Sequence, residues 1–135
     1  MNLADWKAKW YPVPAQACNA ADALDHSILK WTGLLEKNRE GLELVGSILA
    51  DRGREDVLEI NHTSCALCVV HYRPEIEEDP CRQCPLALSR RGVSCDQVCE
   101  GEDYSPWQDW LEDHDAQPML TALHKAKVWV LEQSK

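Results

Sequence analysis

Hydrophobic spacing near the start of the chain predicts a helix. Apolar residues recur every three or four positions, as expected for one face of a helix that begins near Asn19, a residue type that caps helices well. The residues of this face are Ala21, Leu24, Ile28, Trp31 and Leu35. Gly33 interrupts or ends the helix.

The alternation of polar and apolar residues changes between residues 42 and 60. Leu42, Leu44, Gly46 and Ile48 alternate as in a strand, although the length of this stretch also permits a helix. The turn-like residues 51–54 stand before the apolar residues 57–60, and this order favours a β-hairpin.

Two further helices are predicted at the other end of the chain. Ser105-Pro106-Trp107-Gln108 combines a capping hydroxyl, a first-turn proline and a Gln at the third helical position. The face of this helix consists of Trp107, Trp110, Leu111 and His114. Pro118 opens the second helix, whose apolar side consists of Met119, Leu123, Ala126 and Val130. We expect both helices to pack against the N-terminal helix.

Cysteine content divides the chain into three parts. Residues 1–60 carry one cysteine, residues 61–100 carry six, and residues 101–135 carry none. With 135 residues and 44% hydrophobic content, the chain is large enough for one domain with its own core. We therefore predict a single domain, 1–135, in which a Cys-rich module lies between an N-terminal helical and hairpin part and the C-terminal helices.

The cellular compartment decides how the seven cysteines are interpreted. The first residues lack the apolar stretch and cleavage site of a signal peptide, and no apolar run is long enough to span a membrane. We therefore expect a soluble protein of the cytoplasm, where disulfides are rare. An odd number of cysteines also leaves one unpaired in any complete pairing. Metal ligation is the favoured role.

Four cysteines have the spacing of a zinc site. Cys65 and Cys68 form one C-x2-C pair, and Cys81 and Cys84 form another after twelve residues. Four thiolates complete the tetrahedron that zinc prefers in structural sites, and iron is the minor alternative. The order of a strand-like segment at 69–72, a polar turn at 75–80 and a short helix at 85–90 is typical of treble-clef zinc modules. The predicted fold class is α+β, with this zinc hairpin and short helix packed between the N- and C-terminal helices.

The remaining cysteines leave the ligand set open. Cys95 follows the flexible Gly92-Val93-Ser94 and is an alternative ligand that replaces a member of the second pair. Cys99 is a weaker candidate. His71 is interpreted as a hairpin side chain without a metal role, and Cys18 as a small apolar filler.

An acidic stretch suggests a protein-binding surface. The formal net charge is −9, which argues against broad electrostatic binding of nucleic acid or anionic lipid. From Gly92 to His124 there is no Lys or Arg. Such a run is either a solvated surface or a docking surface for a basic partner, in which aromatic residues supply anchors. The candidate partner-binding residues are Asp96, Glu100, Glu102, Asp103, Tyr104 and Trp107.

Three other functions compete with protein binding. In a nucleic-acid-binding module, Arg73, Arg82, Arg90 and Arg91 would face phosphate. A thiol redox protein would use a C-x2-C pair, although such pairs usually lie in a βαβ unit. A treble-clef nuclease would use His62 or His71 as general base, but the segment after Cys84 that is predicted to be helical carries no His. Paired carboxylates, a phosphate-binding loop and a Ser/His/Asp arrangement do not stand out. We therefore expect a protein that is not an enzyme.

The sequence resembles small, largely uncharacterised Cys-rich proteins encoded by bacteriophages and prophages. The similar segments are Trp10-Tyr11-Pro12-Val13-Pro14, His26-Ser27 with Lys30-Trp31 and Gly33-Leu34, Cys65-Ala66-Leu67-Cys68, Cys81-Arg82-Gln83-Cys84-Pro85-Leu86, Cys95, and Pro118-Met119-Leu120 with Leu123. The resemblance implies a phage accessory protein in the bacterial cytoplasm, and it supplies no catalytic residues. We expect its partner to be a host or defence protein.

Overall fold

The computed structural model describes residues 2–53, 56–61, 64–71 and 84–134. Within them the chain combines helices with a small antiparallel sheet, which confirms the α+β class. The helices are α1 (Leu3–Trp10), α2 (Ala23–Gly33), α3 (Ala66–His71), α4 (Pro85–Ser89), α5 (Pro106–Asp113) and α6 (Gln117–Gln133). The strands are β1 (Glu43–Val45), β2 (Ile48–Ala50) and β3 (Val57–Glu59). No described helix has the length and apolar character needed to cross a membrane.

Helix α1 is an element that the sequence analysis did not anticipate. Leu3 and Trp6 are fully buried, and the indole Nε1 of Trp6 donates a hydrogen bond to the carbonyl of Gly33 at 2.9 Å. The amide of Leu3 donates to a carboxylate oxygen of Asp51. These contacts attach α1 to α2 and to the strand region.

Helix α2 begins later than predicted. Its first residue is Ala23, and the side chain of Asn19 caps only a preceding turn, accepting a hydrogen bond from the Asp22 amide at 2.9 Å. Ala21 is exposed and does not belong to the buried face, whereas Leu24 and Trp31 are buried as predicted. Gly33 is the last helical residue, as expected for a residue that ends the helix.

The predicted hairpin is confirmed and extended to three strands. Strand β2 pairs antiparallel with β3, and it also pairs with β1 through a turn at Gly46. The register places Glu43 opposite Ala50 and Ile48 opposite Glu59. Gly46 has a φ of 60°, a conformation that glycine adopts readily.

The strand predicted after the first cysteine pair is wrong. Val69 to His71 are the last turn of helix α3, in which the Val69 amide donates to the carbonyl of Cys65 at 2.9 Å. Packing of α3 against α2 buries Ala66 and Leu67, and this burial outweighs the modest preference of two valines for strands. His71 is therefore helical, not a hairpin residue. Tyr72 and the predicted turn at 75–80 lie outside the described residues.

The short helix after the second pair and both C-terminal helices are confirmed. Helix α4 begins at Pro85, and Ser105 caps α5 by accepting a hydrogen bond from the Gln108 amide at 3.1 Å. Leu111 is 47% exposed, so the buried face of α5 is narrower than the sequence predicted. Helix α6 packs against α2, α4 and α5, as expected for the C-terminal helices.

Candidate functional site

A cavity of about 220 Å³ lies where the cysteine-bearing segments meet α2 and α6. Its walls combine apolar and polar side chains. The apolar residues are Trp31, Leu67, Leu86, Trp107, Met119 and Leu123. The polar residues are Ser27, Lys30, Asn61, Cys65, Cys68, Cys95 and Asp96.

Short backbone motifs bring the thiols to this cavity. Cys65 directly precedes α3, and Cys68 lies within its first turn, so the two-residue gap places both thiols on the same side of the helix. Cys84 directly precedes Pro85 and α4, and its carbonyl accepts a hydrogen bond from the Leu88 amide at 2.9 Å. The carbonyl of Cys95 accepts from the Trp107 amide at 3.0 Å, which ties the cysteine loop to the start of α5.

Lys30 places a buried amino group in the cavity wall. The residue is 1% exposed, and its Nζ donates to the carbonyl of Ser64 at 3.2 Å and to its hydroxyl at 3.4 Å. Within the described ranges, no carboxylate forms an ion pair with it. Burial lowers the pKa of Lys30, while negative charge on the nearby thiols acts in the opposite direction. An anion in this cavity would therefore stabilise the ammonium form of Lys30 against the effect of burial.

The pKa values of the two thiols in the first cysteine pair are shifted in opposite directions. The Cys68 thiol donates a hydrogen bond to the Cys65 sulfur, which lowers the pKa of Cys65 to about 5 against the effect of burial, and the Lys30 charge acts in the same direction. The same hydrogen bond and burial raise the pKa of Cys68, and negative charge on Cys65, Cys95 and Cys84 adds to this effect. The pair therefore loses its first proton more readily, and its second proton less readily, than an ordinary thiol does.

Cys84 belongs to the same electrostatic group. Burial raises the pKa of its thiol, whereas the backbone N–H groups of Ala87 and Leu86 donate to the sulfur and act against this rise. Amide donors at the start of a short helix are the type of support that metal thiolates receive in structural sites. The effect of burial is the larger one, so the pKa of the Cys84 thiol stays above its ordinary value.

The side chains near this cavity include types that thiolate metal centres use. Sulfur ligands and amide donors to sulfur are features of zinc and iron thiolate sites. Within residues 2–53, 56–61, 64–71 and 84–134, however, no three Cys, His, Asp or Glu side chains form a group that could hold a metal ion together. Cys81 and His62 lie outside these residues. The treble-clef zinc hairpin therefore stays a prediction.

Two cysteines have separate surroundings. Cys99 donates a weak hydrogen bond from Sγ to the carbonyl of Arg90 at 3.7 Å and lines a different cavity. Cys18 donates to the carbonyl of Asn19 at 3.5 Å and packs against the core. This position of Cys18 agrees with a filler role.

The predicted partner-binding residues occupy the loop before α5 and its first turn. Glu100 and Asp103 are exposed, and Tyr104 is 50% exposed. Trp107 is half-buried, with its ring edge-to-face against Trp31 at a centroid distance of 6.4 Å. Asp96 is exposed, and one of its carboxylate oxygens accepts a hydrogen bond from the Ser94 hydroxyl at 2.6 Å.

Glu102 and Arg90 are already engaged with each other. The guanidinium donates two hydrogen bonds to the Glu102 carboxylate at 3.0 and 3.1 Å, and it also reaches the carbonyls of Val93 and Gln97. The Arg90 side chain is 8% exposed. Of the arginines considered for phosphate binding, Arg90 is thus turned into its own loop, Arg91 is exposed, and Arg73 and Arg82 lie outside the described residues.

Sequence reasoning missed the two polar residues that α2 contributes to the cavity. Ser27 and Lys30 are both 1% exposed, although their types are normally found on the surface. The available signal was their position, because Ser27 lies four residues before the predicted core residue Trp31 and three before Lys30.

No known protein family, curated protein or solved structure matches the chain. Function is therefore inferred from the cavity and the charged surface of this molecule, because a fold class alone does not define an activity.

Proposed function

We propose that the protein is a non-enzymatic accessory protein, stabilised by a structural metal, that binds a basic partner protein. The observation that carries this proposal is the cavity whose wall includes Cys65, Cys68 and Cys95 together with the buried Lys30. Zinc is the preferred ion because a closed thiolate site gives it a stable, unreactive tetrahedron. The resemblance to phage accessory proteins points to a host or defence protein as the partner.

The metal would act by holding the cysteine-bearing segments between α2 and α6. Since metal binding contributes directly to folding free energy, its removal is expected to loosen residues 61–100 first. Elemental analysis and native mass spectrometry of the purified protein measure the ion and its stoichiometry, and hydrogen exchange with and without a chelator locates the loosened segment. A metal-free protein that is fully folded and insensitive to chelation would refute this part of the proposal.

The partner-binding surface is supported by acidic and apolar groups on one exposed loop. Glu100 and Asp103 are exposed beside Tyr104, and Val98 of the same loop is 48% exposed. Apolar side chains surrounded by like charges are typical of protein interaction sites that attract partners electrostatically. Burial and the carboxylates of Asp115, Asp113, Glu102 and Glu112 raise the pKa of Asp109, which indicates that negative charge continues from this loop to the surroundings of α5.

Charge reversal tests this surface. We expect the double variant Glu100→Lys/Asp103→Lys to lose partners captured by the wild type from a bacterial lysate, and we expect wild-type capture to weaken at high salt. The control is the pair Glu132→Lys and Glu36→Lys, which changes the net charge equally outside this loop. Equal capture by both variants would contradict the assignment of the surface. A mobility shift showing tight, strongly salt-dependent binding of nucleic acid would contradict a protein partner.

The pKa of Cys65 favours thiol exchange as a second candidate function. The hydrogen bond from Cys68 lowers the pKa of the Cys65 thiol, which favours the thiolate that would attack a disulfide, and the Cys68 thiol would then release the mixed disulfide. In that reaction the Cys65–Cys68 pair becomes a disulfide and the substrate disulfide becomes two thiols. Thiol titration before and after chelation distinguishes the two functions, because only a redox pair reacts rapidly before metal removal.

A further inference from the structure

A groove of about 900 Å³ lies where the loop that precedes α5 meets the end of α4 and the first half of α6. The loop contributes residues 93 and 98–102 to its lining. The apolar residues of the groove include Val98, Pro106 and Pro118, and Val98 is exposed. This volume is near the upper end of the usual range for ligand clefts, about 300–1,000 Å³, and leaves room for several side chains of a partner.

Arg90 holds the loop part of the groove in place. Its guanidinium donates to the carbonyl of Val93 at 3.2 Å and pairs with Glu102, and the Glu102 carboxylate also accepts from the Cys99 amide at 2.8 Å. A loop that is ordered before a partner arrives loses less conformational entropy on binding. Because Arg90 and Glu102 neutralise each other, the charges that remain in the groove are those of its other residues.

Asp109 and Asp115 supply negative charge to the groove. Within the described ranges, neither carboxylate forms an ion pair with a basic side chain. Asp115 is exposed, and one of its oxygens accepts a hydrogen bond from the Gln117 amide at 3.0 Å. Asp109 is half-buried, and burial together with nearby carboxylates raises its pKa. A positive charge beside these two groups would relieve the repulsion between carboxylates.

The carboxylates of the groove suit an organic cation better than a metal ion. In the part of the chain that the structure describes, no three Cys, His, Asp or Glu side chains form a group that could hold a metal. The guanidinium of an Arg or the ammonium of a Lys needs only one or two carboxylates, because each donates several hydrogen bonds itself. The chemistry of the groove therefore fits a basic side chain of a second protein.

Two exposed basic residues limit what the groove accepts. Arg91 and Lys125 also line it, and Lys125 lies eight residues, or about 12 Å of helix, after Gln117. A segment with many basic residues would bring positive charge near them, whereas a nucleic-acid backbone would meet the carboxylates of Asp109 and Asp115. A segment with a single basic residue among apolar ones avoids both repulsions.

We propose that this groove binds a short segment of the partner protein, in which one Arg or Lys side chain pairs with Asp109 and Asp115 and apolar side chains cover Val98 and Pro118. This inference rests on the proposed binding of a basic partner protein and assigns the place where its basic group binds. The ordered loop and the unpaired carboxylates supply complementary shape and charge before the partner arrives.

Two peptides titrated into the full chain test this assignment, with binding followed by the backbone amide signals in NMR spectra. The first peptide is acetyl-Ala-Val-Arg-Val-Ala-amide, and the second carries Glu in place of Arg. We expect the first to shift the amide signals of groove residues, with an affinity that falls as salt is added, and the second not to bind there. This comparison uses the wild type and needs no variant.

Two charge-matched variants locate the binding site of the basic group. We expect Asp109→Asn/Asp115→Asn to weaken binding of the first peptide at least about threefold, because two carboxylates are lost while each side chain keeps its size and an acceptor oxygen. The control Glu36→Gln/Glu132→Gln removes the same charge at exposed positions outside the groove. It should bind the peptide within about twofold of the wild type.

Several results would overturn the assignment. Equal weakening by both double variants would show that net charge alone explains binding. Equal shifts with both peptides, or no shifts with either, would exclude recognition of a basic group in the groove. The proposed binding of a basic partner would stand after such a result if capture still depends on Glu100 and Asp103. Displacement of the first peptide by single-stranded DNA at the same salt concentration would overturn the proposal in favour of nucleic acid.

Discussion

Gly33 is a point of close approach between α1 and α2, and its replacement by alanine tests the packing there. A Cβ added at Gly33 would lie 2.4 Å from Cγ and 2.5 Å from Cβ of Trp10. Real Cβ atoms do not approach so closely, and the Trp10 Cβ moves only with its backbone. Helix α1 must therefore shift, which also strains the hydrogen bond from the Trp6 indole to the Gly33 carbonyl.

The expected magnitude follows from opposing effects. Alanine improves helix propensity by at most about 1 kcal/mol, and by less at the last residue of a helix. Overpacking costs about 1–3 kcal/mol or more, and weakening of one hydrogen bond adds about 1 kcal/mol. We expect Gly33→Ala to lower the free energy of unfolding by about 1–3 kcal/mol, or the melting temperature by roughly 4 °C per kcal/mol.

Urea denaturation followed by circular dichroism measures this change. In a Trp10→Ala background the loss should be smaller but should not vanish, because the Cβ at position 10 remains. Ala8→Gly, at an exposed position of α1, calibrates the helix-propensity contribution alone. If Gly33→Ala unfolds at the same urea concentration as the wild type or a higher one, the close contact between α1 and α2 is wrong.

Three further predictions concern the C-terminal half. Ser105→Ala removes the cap of α5 and should cost about 1 kcal/mol in urea denaturation, whereas Ser134→Ala, at an exposed position, should be neutral. Burial opposes ionisation of Glu102, but hydrogen bonds from Arg90 and the Cys99 amide lower its pKa below the usual value. Glu102→Gln should therefore lower the free energy of unfolding by about 1 kcal/mol at pH 7. This difference should disappear as the pH falls through the folded-state pKa of Glu102. Burial and the nearby carboxylates raise the pKa of Asp109, so ionisation of this group disfavours the folded state. Asp109→Asn should therefore raise the free energy of unfolding by about 0.5 kcal/mol or less at pH 7. Below about pH 3 there should be no gain, because the carboxyl is protonated in both the folded and the unfolded state.

Elements with a strong local pattern were predictable from sequence. The Ser-Pro start of α5 and the spacing of three and four residues between apolar positions of α6 act within one or two helical turns, and both helices were found where expected. Helix α1 was missed because only Leu3 and Trp6 are buried in it, and two apolar residues make no recognisable period. The strand predicted at Val69 failed for the opposite reason: a local preference for strands was overruled by packing of α3 against α2.

The candidate site was only partly predictable. The spacing of Cys65 and Cys68 identified the first pair, because a two-residue gap brings both thiols to one side through local geometry. The presence of Cys95 and Lys30 in the same cavity depends on how α2, the loop before α5 and α6 pack together. No spacing rule encodes such an arrangement, and a lysine within a helix is normally taken to be solvated.

The indole rings at the cavity give the protein an intrinsic optical probe. Trp31 and Trp107 form part of the wall that also carries the three thiols, and Trp31 stands edge-on to Trp110 at a centroid distance of 5.1 Å. Sulfur anions quench indole fluorescence at short range, and closely spaced tryptophans exchange excitation energy. Emission intensity and lifetime will therefore follow the state of the sulfur cluster in real time, without any attached label.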